Sequence, residues 1–139
     1  MELQRRFFMP PQQSFFLFGP LDRPEEIDGA ALEGLVAQHL RAWLAYGGLD
    51  AKIFYWRTRS GVEVDFILYG SAGFWAIEVK NVSRIHPEHL RGLETFGEDY
   101  PQAELILLFR GTRPERRGRI RILPIDNFLA QLIPGKLLL

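Results

Sequence analysis

Two short runs of this chain place carboxylates inside apolar segments that otherwise resemble buried strands. The runs are residues 63–68 and 76–80, which contain Asp65 and Glu78, and Lys80 follows two residues after Glu78. Removing a carboxylate from water costs several kcal/mol unless the group is paired or binds a metal. The repeated pattern therefore favours a metal-dependent site.

The geometry of strands supports this interpretation. Residues two apart share a face, so Glu78 and Lys80 should point the same way. If the two runs pair as a hairpin, Asp65 and Glu78 lie close together and repel, unless a cation lies between them. Oxygen ligands without cysteine favour Mg²⁺ or Mn²⁺, and the main-chain carbonyl of Val79 would add another oxygen. Lys80 would then orient or deprotonate a water, or neutralise charge on a phosphate.

A plainer interpretation of the same residues stays open. A Glu-x-Lys strand commonly forms a solvated face with a weak cross-strand ion pair. The composition does not decide between the two, because 17 Lys and Arg balance 17 Asp and Glu and give no net charge for nucleic-acid binding. The chain of 139 residues has no cysteine, which excludes thiolate chemistry and is compatible with a cytoplasmic protein. Its N-terminus matches neither a signal peptide nor a membrane span, so no membrane partner is expected.

Around these runs the sequence predicts an α/β domain. Residues 14–18 are a short apolar strand, residues 21–26 a linker, and residues 28–46 a helix with Asp28 as its N-cap. Three strands follow at residues 52–58, 62–69 and 73–80, joined by short turns that predict an antiparallel meander. In the second strand, Val62, Val64, Phe66 and Leu68 should share one face.

The second half of the chain completes a mixed sheet flanked by helices. Pro87 should open a second helix that ends near Phe96. The continuous apolar run 104–109 is typical of a strand covered on both faces, and residues 119–123 alternate as another strand. Asp126 should cap a final helix that ends near Ile133.

Three separated segments then carry a family resemblance. They are residues 29–36 with Glu33 (GAALEGLV), residues 54–66 (FYWRTRSGVEVDF) and residues 76–80 (AIEVK). Together they resemble the PD-(D/E)XK nuclease superfamily, and more narrowly the uncharacterised C-terminal domain of bacterial and archaeal AAA+-like ATPases. The resemblance implies a restriction-endonuclease-like fold with an αβββαβ core in residues 28–139. It also implies that Asp65 and Glu78 bind Mg²⁺ or Mn²⁺, that Lys80 is the catalytic lysine, and that Glu33 is an accessory carboxylate.

The resemblance also concerns the N-terminal segment, residues 1–27. Residues 14–20 resemble the first strand of such ATPases, but no Gly-x-x-x-x-Gly-Lys-Ser/Thr loop follows. Without that loop no phosphate cradle forms, so ATP binding is not expected. The segment is interpreted as a strand remnant and linker, which predicts pairing with a sheet edge or a homodimer. The expected function is a Mg²⁺-dependent nuclease acting on nucleic acid; the alternative is an inactive nucleic-acid- or protein-binding module.

Several other polar residues are suited to contacts with nucleic acid. Arg57, Thr58, Arg59 and Ser60 are candidates for phosphate contacts, because they precede the acidic strand. The arginine-rich stretch 110–121 could follow a phosphate backbone, although a solvated turn before an edge strand is the favoured interpretation. The three histidines, His39, His86 and His89, are expected at the surface, and the three tryptophans, Trp43, Trp56 and Trp75, in the core.

Overall fold

The fold is a mixed sheet between helices. The computed structural model describes residues 8–9, 24–136 and 138, with side chains from residue 29 onward. The seven strands are β1 (Phe8–Met9), β2 (Lys52–Arg57), β3 (Glu63–Gly70), β4 (Gly73–Val79), β5 (Glu104–Phe109), β6 (Glu115–Arg117) and β7 (Ile120–Pro124). The helices are α1 (Pro24–Gly47), α2 (Arg91–Asp99) and α3 (Ile125–Ala130), and a 3₁₀ turn (Pro87–Leu90) leads into α2. The expected mixed α/β architecture is confirmed.

The sheet changes from antiparallel to parallel at its centre. Its order is β1-β2-β3-β4-β5-β7-β6. The strands β1 to β4 pair antiparallel, which confirms the meander, whereas β4, β5 and β7 run parallel and β6 returns antiparallel to β7. The parallel strands are possible because α2 carries the chain from the end of β4 back to the start of β5.

Each face of the sheet has its own hydrophobic core. On one face, α1 and α3 pack through Val36, Leu40, Trp43 and Phe128 against β3 to β5. On the other face, α2 packs through Leu93 and Phe96. The strand β5 serves both cores, since Leu105 and Leu107 face α2 while Ile106 and Leu108 face α1. Its continuous apolar sequence is explained by this double coverage. The expected burial of Trp43, Trp56 and Trp75 is also confirmed.

Several element boundaries differ from the sequence prediction. The first helix begins at Pro24, so residues 24–26 are not linker and Asp28 is not an N-cap. Proline suits the first helical position because the N–H that it lacks would be unpaired there. The final helix begins at Ile125 after Pro124 and ends at Ala130, which places Asp126 in its first turn rather than at its cap.

The predicted alternation of β3 is wrong because the strand contains a bulge. Phe54 pairs with Ile67 and Trp56 with Val64, so Tyr55 alone stands against both Asp65 and Phe66. Val64 therefore packs with the α2 core, whereas Phe66 and Leu68 pack with the α1 core. Bulges of this kind redirect side chains and often occur beside functional sites.

The arginine-rich stretch also folds differently from the expectation. It contains β6, which forms the sheet edge, and β7 lies inside the sheet between β5 and β6. Arg119 donates hydrogen bonds to the carbonyls of Gly97, Pro101 and Ala103, so it caps the end of α2. The predicted strand at residues 14–18, with any homodimer built on it, lies outside the described residues. No helix in the described parts of the chain is long and apolar enough to cross a bilayer.

Candidate metal centre

The site lies where β3 and β4 separate. Their ladder ends at the pair Phe66–Ile77, although β3 begins at Glu63 and β4 continues to Val79. Extending the register by one residue places Asp65 opposite Glu78. In place of a backbone ladder bond, the main-chain N–H of Val79 donates to Oδ2 of Asp65 at 2.8 Å. The backbone of Lys80 is held by β5, because its main-chain N–H donates to the carbonyl of Leu108.

All four residues proposed for catalysis line one cleft. The cleft has a volume of about 420 Å³ and receives Glu33 from α1, Asp65 from β3, and Glu78, Val79 and Lys80 from β4 and the residue after it. Its wall also contains Glu63, Gly92 and Arg91, and part of the 3₁₀ turn. The elements predicted from sequence therefore bring their acidic residues to one place.

Glu78 is the most buried of these carboxyls. It is 5% exposed, and it is the one charged residue buried among the side chains that the structure describes. Burial, the nearby charge of Asp65 and a hydrogen bond between the two carboxyls raise the pKa of Glu78 well above its usual value, although Lys80 opposes this shift. Burial and the hydrogen bond to Asp65 therefore favour the protonated form of Glu78.

Glu33, which lies on α1, also has a raised pKa. Burial first, and then repulsion from Asp65 and Glu63, raise the pKa of Glu33 to about 8, while Lys80 lowers it. The glutamate of α1 and the glutamate of β4 thus belong to one electrostatic cluster, with Asp65 between them and Lys80 as the nearby cation. Clefts that combine desolvated carboxyls with a specific charge partner are often functional sites.

The donor chemistry suits a hard divalent cation, but the side chains are not arranged as a finished ligand set. Three carboxylates and the Val79 carbonyl are the oxygen ligands that Mg²⁺ and Mn²⁺ prefer. Within the described residues, however, no three acidic or histidine side chains stand in a geometry that could hold a metal. A cation bound here would favour the ionised form of Glu78, against the effect of burial on its pKa.

The candidate phosphate-contact residues divide into two groups. Ser60 lines the cleft. The guanidinium of Arg57 instead forms an ion pair with Glu63 at 2.6 Å, and Thr58 closes the turn by accepting the N–H of Val62. Arg59 is exposed and does not line the cleft.

The 3₁₀ turn contributes residues that the sequence analysis did not place in the site. Glu88 and His89 both line the cleft, although His89 was expected at the surface. Nδ1 of His89 accepts the main-chain N–H of His86 at 3.0 Å, so the neutral ring carries its proton on Nε2. Burial, and then the charge of Lys80, lower the pKa of His89, although Glu88 opposes this shift. In the sequence, Pro87 was the signal for this placement. It marks a turn soon after Lys80, and this turn brings Glu88 and His89 beside Lys80 in the cleft.

Gly92 sets how closely α2 approaches the acidic strands. A Cβ at this position would overlap the main-chain oxygen of Glu63 and lie 3.2 Å from Oε2 of Glu78. We expect Gly92→Ala to lower the free energy of unfolding by roughly 1–3 kcal/mol, as overpacking does, although alanine favours helix by about 1 kcal/mol. Urea unfolding measures the change. Gly29→Ala is the control, since no atom lies within 4 Å of its added Cβ; equal stability gains in both variants would contradict the packing described.

Comparison with known proteins places this domain in a family. Residues 28–128 match a domain of unknown function, DUF4143, a C-terminal domain found in AAA-ATPase-associated proteins. The match covers most of the chain and includes Glu33, Asp65, Glu78 and Lys80. No curated protein and no solved structure matches the chain. The chain belongs to the DUF4143 family.

Proposed function

We propose that this domain is a metal-dependent nuclease with a PD-(D/E)XK-type site on a restriction-endonuclease-like core. One observation carries the proposal: Glu33, Asp65 and Glu78, from three different elements, meet Lys80 in one cleft. Burial first, and then the charge of Asp65, raise the pKa values of Glu33 and Glu78. A structural role would not need this costly cluster, whereas a site for a divalent cation would.

Each residue has a defined part in this proposal. Asp65, Glu78 and the Val79 carbonyl would hold Mg²⁺ or Mn²⁺, with Glu33 as the accessory carboxylate. When bound, the cation supplies positive charge that stabilises the developing charge on a scissile phosphate. Lys80 neutralises a further phosphate oxygen or orients the attacking water from the same side.

His89 adds a hydrogen-bond donor to the cleft. Because Nδ1 accepts the N–H of His86, the Nε2 proton remains available to a ligand. A neutral imidazole beside Lys80 can donate to a phosphate oxygen without adding a second positive charge. The 3₁₀ turn thereby contributes to substrate positioning as well as to the start of α2.

A nuclease assay tests the proposal. Purified protein is incubated with plasmid DNA, single-stranded DNA and RNA in the presence of Mg²⁺, Mn²⁺ or EDTA. We expect cleavage of at least one of these substrates with Mg²⁺ or Mn²⁺ and none with EDTA. Failure to cleave any of them with either metal would contradict the enzymatic assignment.

A second function, a non-catalytic binding module, is favoured by a different observation. The hydrogen bond between the carboxyls of Asp65 and Glu78 pairs them without a cation, and no ready ligand set exists among the described side chains. Membership of a family that occurs in AAA-ATPase-associated proteins fits a domain that binds nucleic acid or protein beside such an ATPase. Metal titration separates the two functions, since a binding module does not require the cation. The expectations that this chain binds no ATP and acts in the cytoplasm stay predictions.

A further inference from the structure

The arginine-rich loop lies against the segment that forms one wall of the cleft. The segment is residues 80–89, between β4 and α2, and the loop is residues 110–117, between β5 and β7. The N–H of Arg110 donates to the carbonyl of Val82, and its guanidinium donates to Oδ1 of Asn81. The guanidinium of Arg117 donates to the carbonyl of Ile85 at 2.9 Å. The loop is therefore attached to the segment between β4 and α2 by three hydrogen bonds.

A groove runs between the loop and this segment. Its volume is about 510 Å³, and its charged lining residues are Arg84, Arg113, Glu115 and Arg117. Arg84 and Arg113 are exposed, and neither forms an ion pair with another described residue. The groove is thus basic in a protein whose formal net charge is zero. We call it the arginine groove.

The arginine groove and the acidic cleft share one wall. Lys80, Glu88 and His89 of the 80–89 segment line the cleft, whereas Ser83, Arg84, Ile85 and His86 line the groove. A linear ligand leaving the cleft across the 3₁₀ turn would enter the groove directly. A long polyanion fits this arrangement better than a small anion does, because the two concavities lie side by side.

We propose that the arginine groove binds the phosphodiester backbone of nucleic acid on one side of the scissile position. The inference takes its substrate class from the proposed function. Guanidinium groups match phosphate oxygens, and binding through the backbone is independent of base sequence. Phe109 lines the groove but is buried, so bases cannot stack on its ring, and the imidazole of His86 is the exposed ring in the lining.

Salt-dependent binding to a 20-base-pair DNA duplex tests this inference. Fluorescence anisotropy in EDTA reports binding without cleavage. The test variant carries both Arg84→Gln and Arg113→Gln. The control variant carries both Lys52→Gln and Lys136→Gln, which remove the same amount of charge near the C-terminal end of α1. The loss of two phosphate contacts should make the slope of the logarithm of the association constant against the logarithm of the salt concentration shallower by about two. Between 50 and 200 mM salt, the affinity of the wild type should therefore fall about tenfold more than that of the variant. The control should keep the wild-type slope.

The outcomes separate this inference from the nuclease proposal. Groove-dependent duplex binding without any cleavage would support the groove and contradict the nuclease. Cleavage with an unchanged salt slope in the arginine variant would overturn the groove and leave the nuclease standing. Displacement of the duplex by poly-glutamate at equal charge concentration would also overturn the inference, because it would show a general site for acidic chains. Circular dichroism should show wild-type folding in both variants, since the four substituted side chains are exposed.

Discussion

Lys80→Met should lower the rate of metal-dependent nucleic-acid cleavage at least about 100-fold, as loss of one preorganised electrostatic group typically does. Lys80 is the cation whose charge acts on both Glu33 and Glu78, and methionine keeps most of its unbranched side chain without the charge. Asp65→Asn should have a similar effect. Asparagine can still accept the N–H of Val79 through its amide oxygen, so the local structure where β3 and β4 separate should persist.

Single-turnover cleavage measures these losses, and Lys52→Met is the matched control. Lys52 is exposed at the start of β2 and does not line the cleft. Its substitution should leave the cleavage rate unchanged within about twofold, the scatter expected for a remote surface site. Cleavage at the wild-type rate by either Lys80→Met or Asp65→Asn would show that the substituted residue takes no part in the reaction.

The protein should lose stability as the pH rises from about 5 to about 8. Glu33 keeps its proton in the folded protein up to about pH 8, whereas its ordinary pKa is 4.5. Between these values the unfolded chain binds fewer protons, so the free energy of unfolding falls as the pH increases. Glu78 acts in the same direction, because burial and Asp65 raise its pKa. We expect a loss on the order of 1–3 kcal/mol, after allowing for screening by solvent.

Urea unfolding at pH 5, 6, 7 and 8 measures this slope. Glu33→Gln and Glu78→Gln each replace a carboxyl whose pKa is raised with a neutral amide of similar shape. Each variant should be less sensitive to pH than the wild type, and each should be the more stable protein at pH 8. A wild-type stability that rises over this range would show that the cluster is not strained.

Much of the fold could be predicted from local pattern. The strand β5 was predicted with its observed boundaries, because its apolar run is too short for a buried helix and is bounded by polar residues. The meander followed from short turns at residues 59–61 and 70–72. The bulge at Asp65 and Phe66 could not be predicted, since it depends on how Tyr55 is accommodated across the ladder. The short strand β6 was missed because its sequence, Glu-Arg-Arg, has no apolar residue; it pairs with β7, and Arg117 also donates to the carbonyl of Ile85.

The acidic site was predictable to a similar degree. Asp65, Glu78 and Lys80 were identified because charged residues are costly inside apolar strands. Glu33 came only from the family resemblance, since one glutamate on a helix carries no signal of its own. Glu88 and His89 were missed because their place in the cleft depends on the path of the chain between β4 and α2. The contacts of the arginine loop with Val82 and Ile85 could not be predicted for the same reason, because they join residues 28 and 32 positions apart.

Calorimetric titration with Mn²⁺ tests the metal centre most directly. Titrations at pH 7 in two buffers with different ionisation enthalpies report both binding and the number of protons released. If the carboxyl cluster is a metal site, about one Mn²⁺ should bind per chain and release protons, because the cation favours the ionised carboxyls and the raised pKa of Glu33, about 8, leaves that group largely protonated at pH 7. Glu78→Gln should abolish both signals while the protein remains folded. Absence of Mn²⁺ binding by the folded wild-type protein would contradict the proposed metal centre.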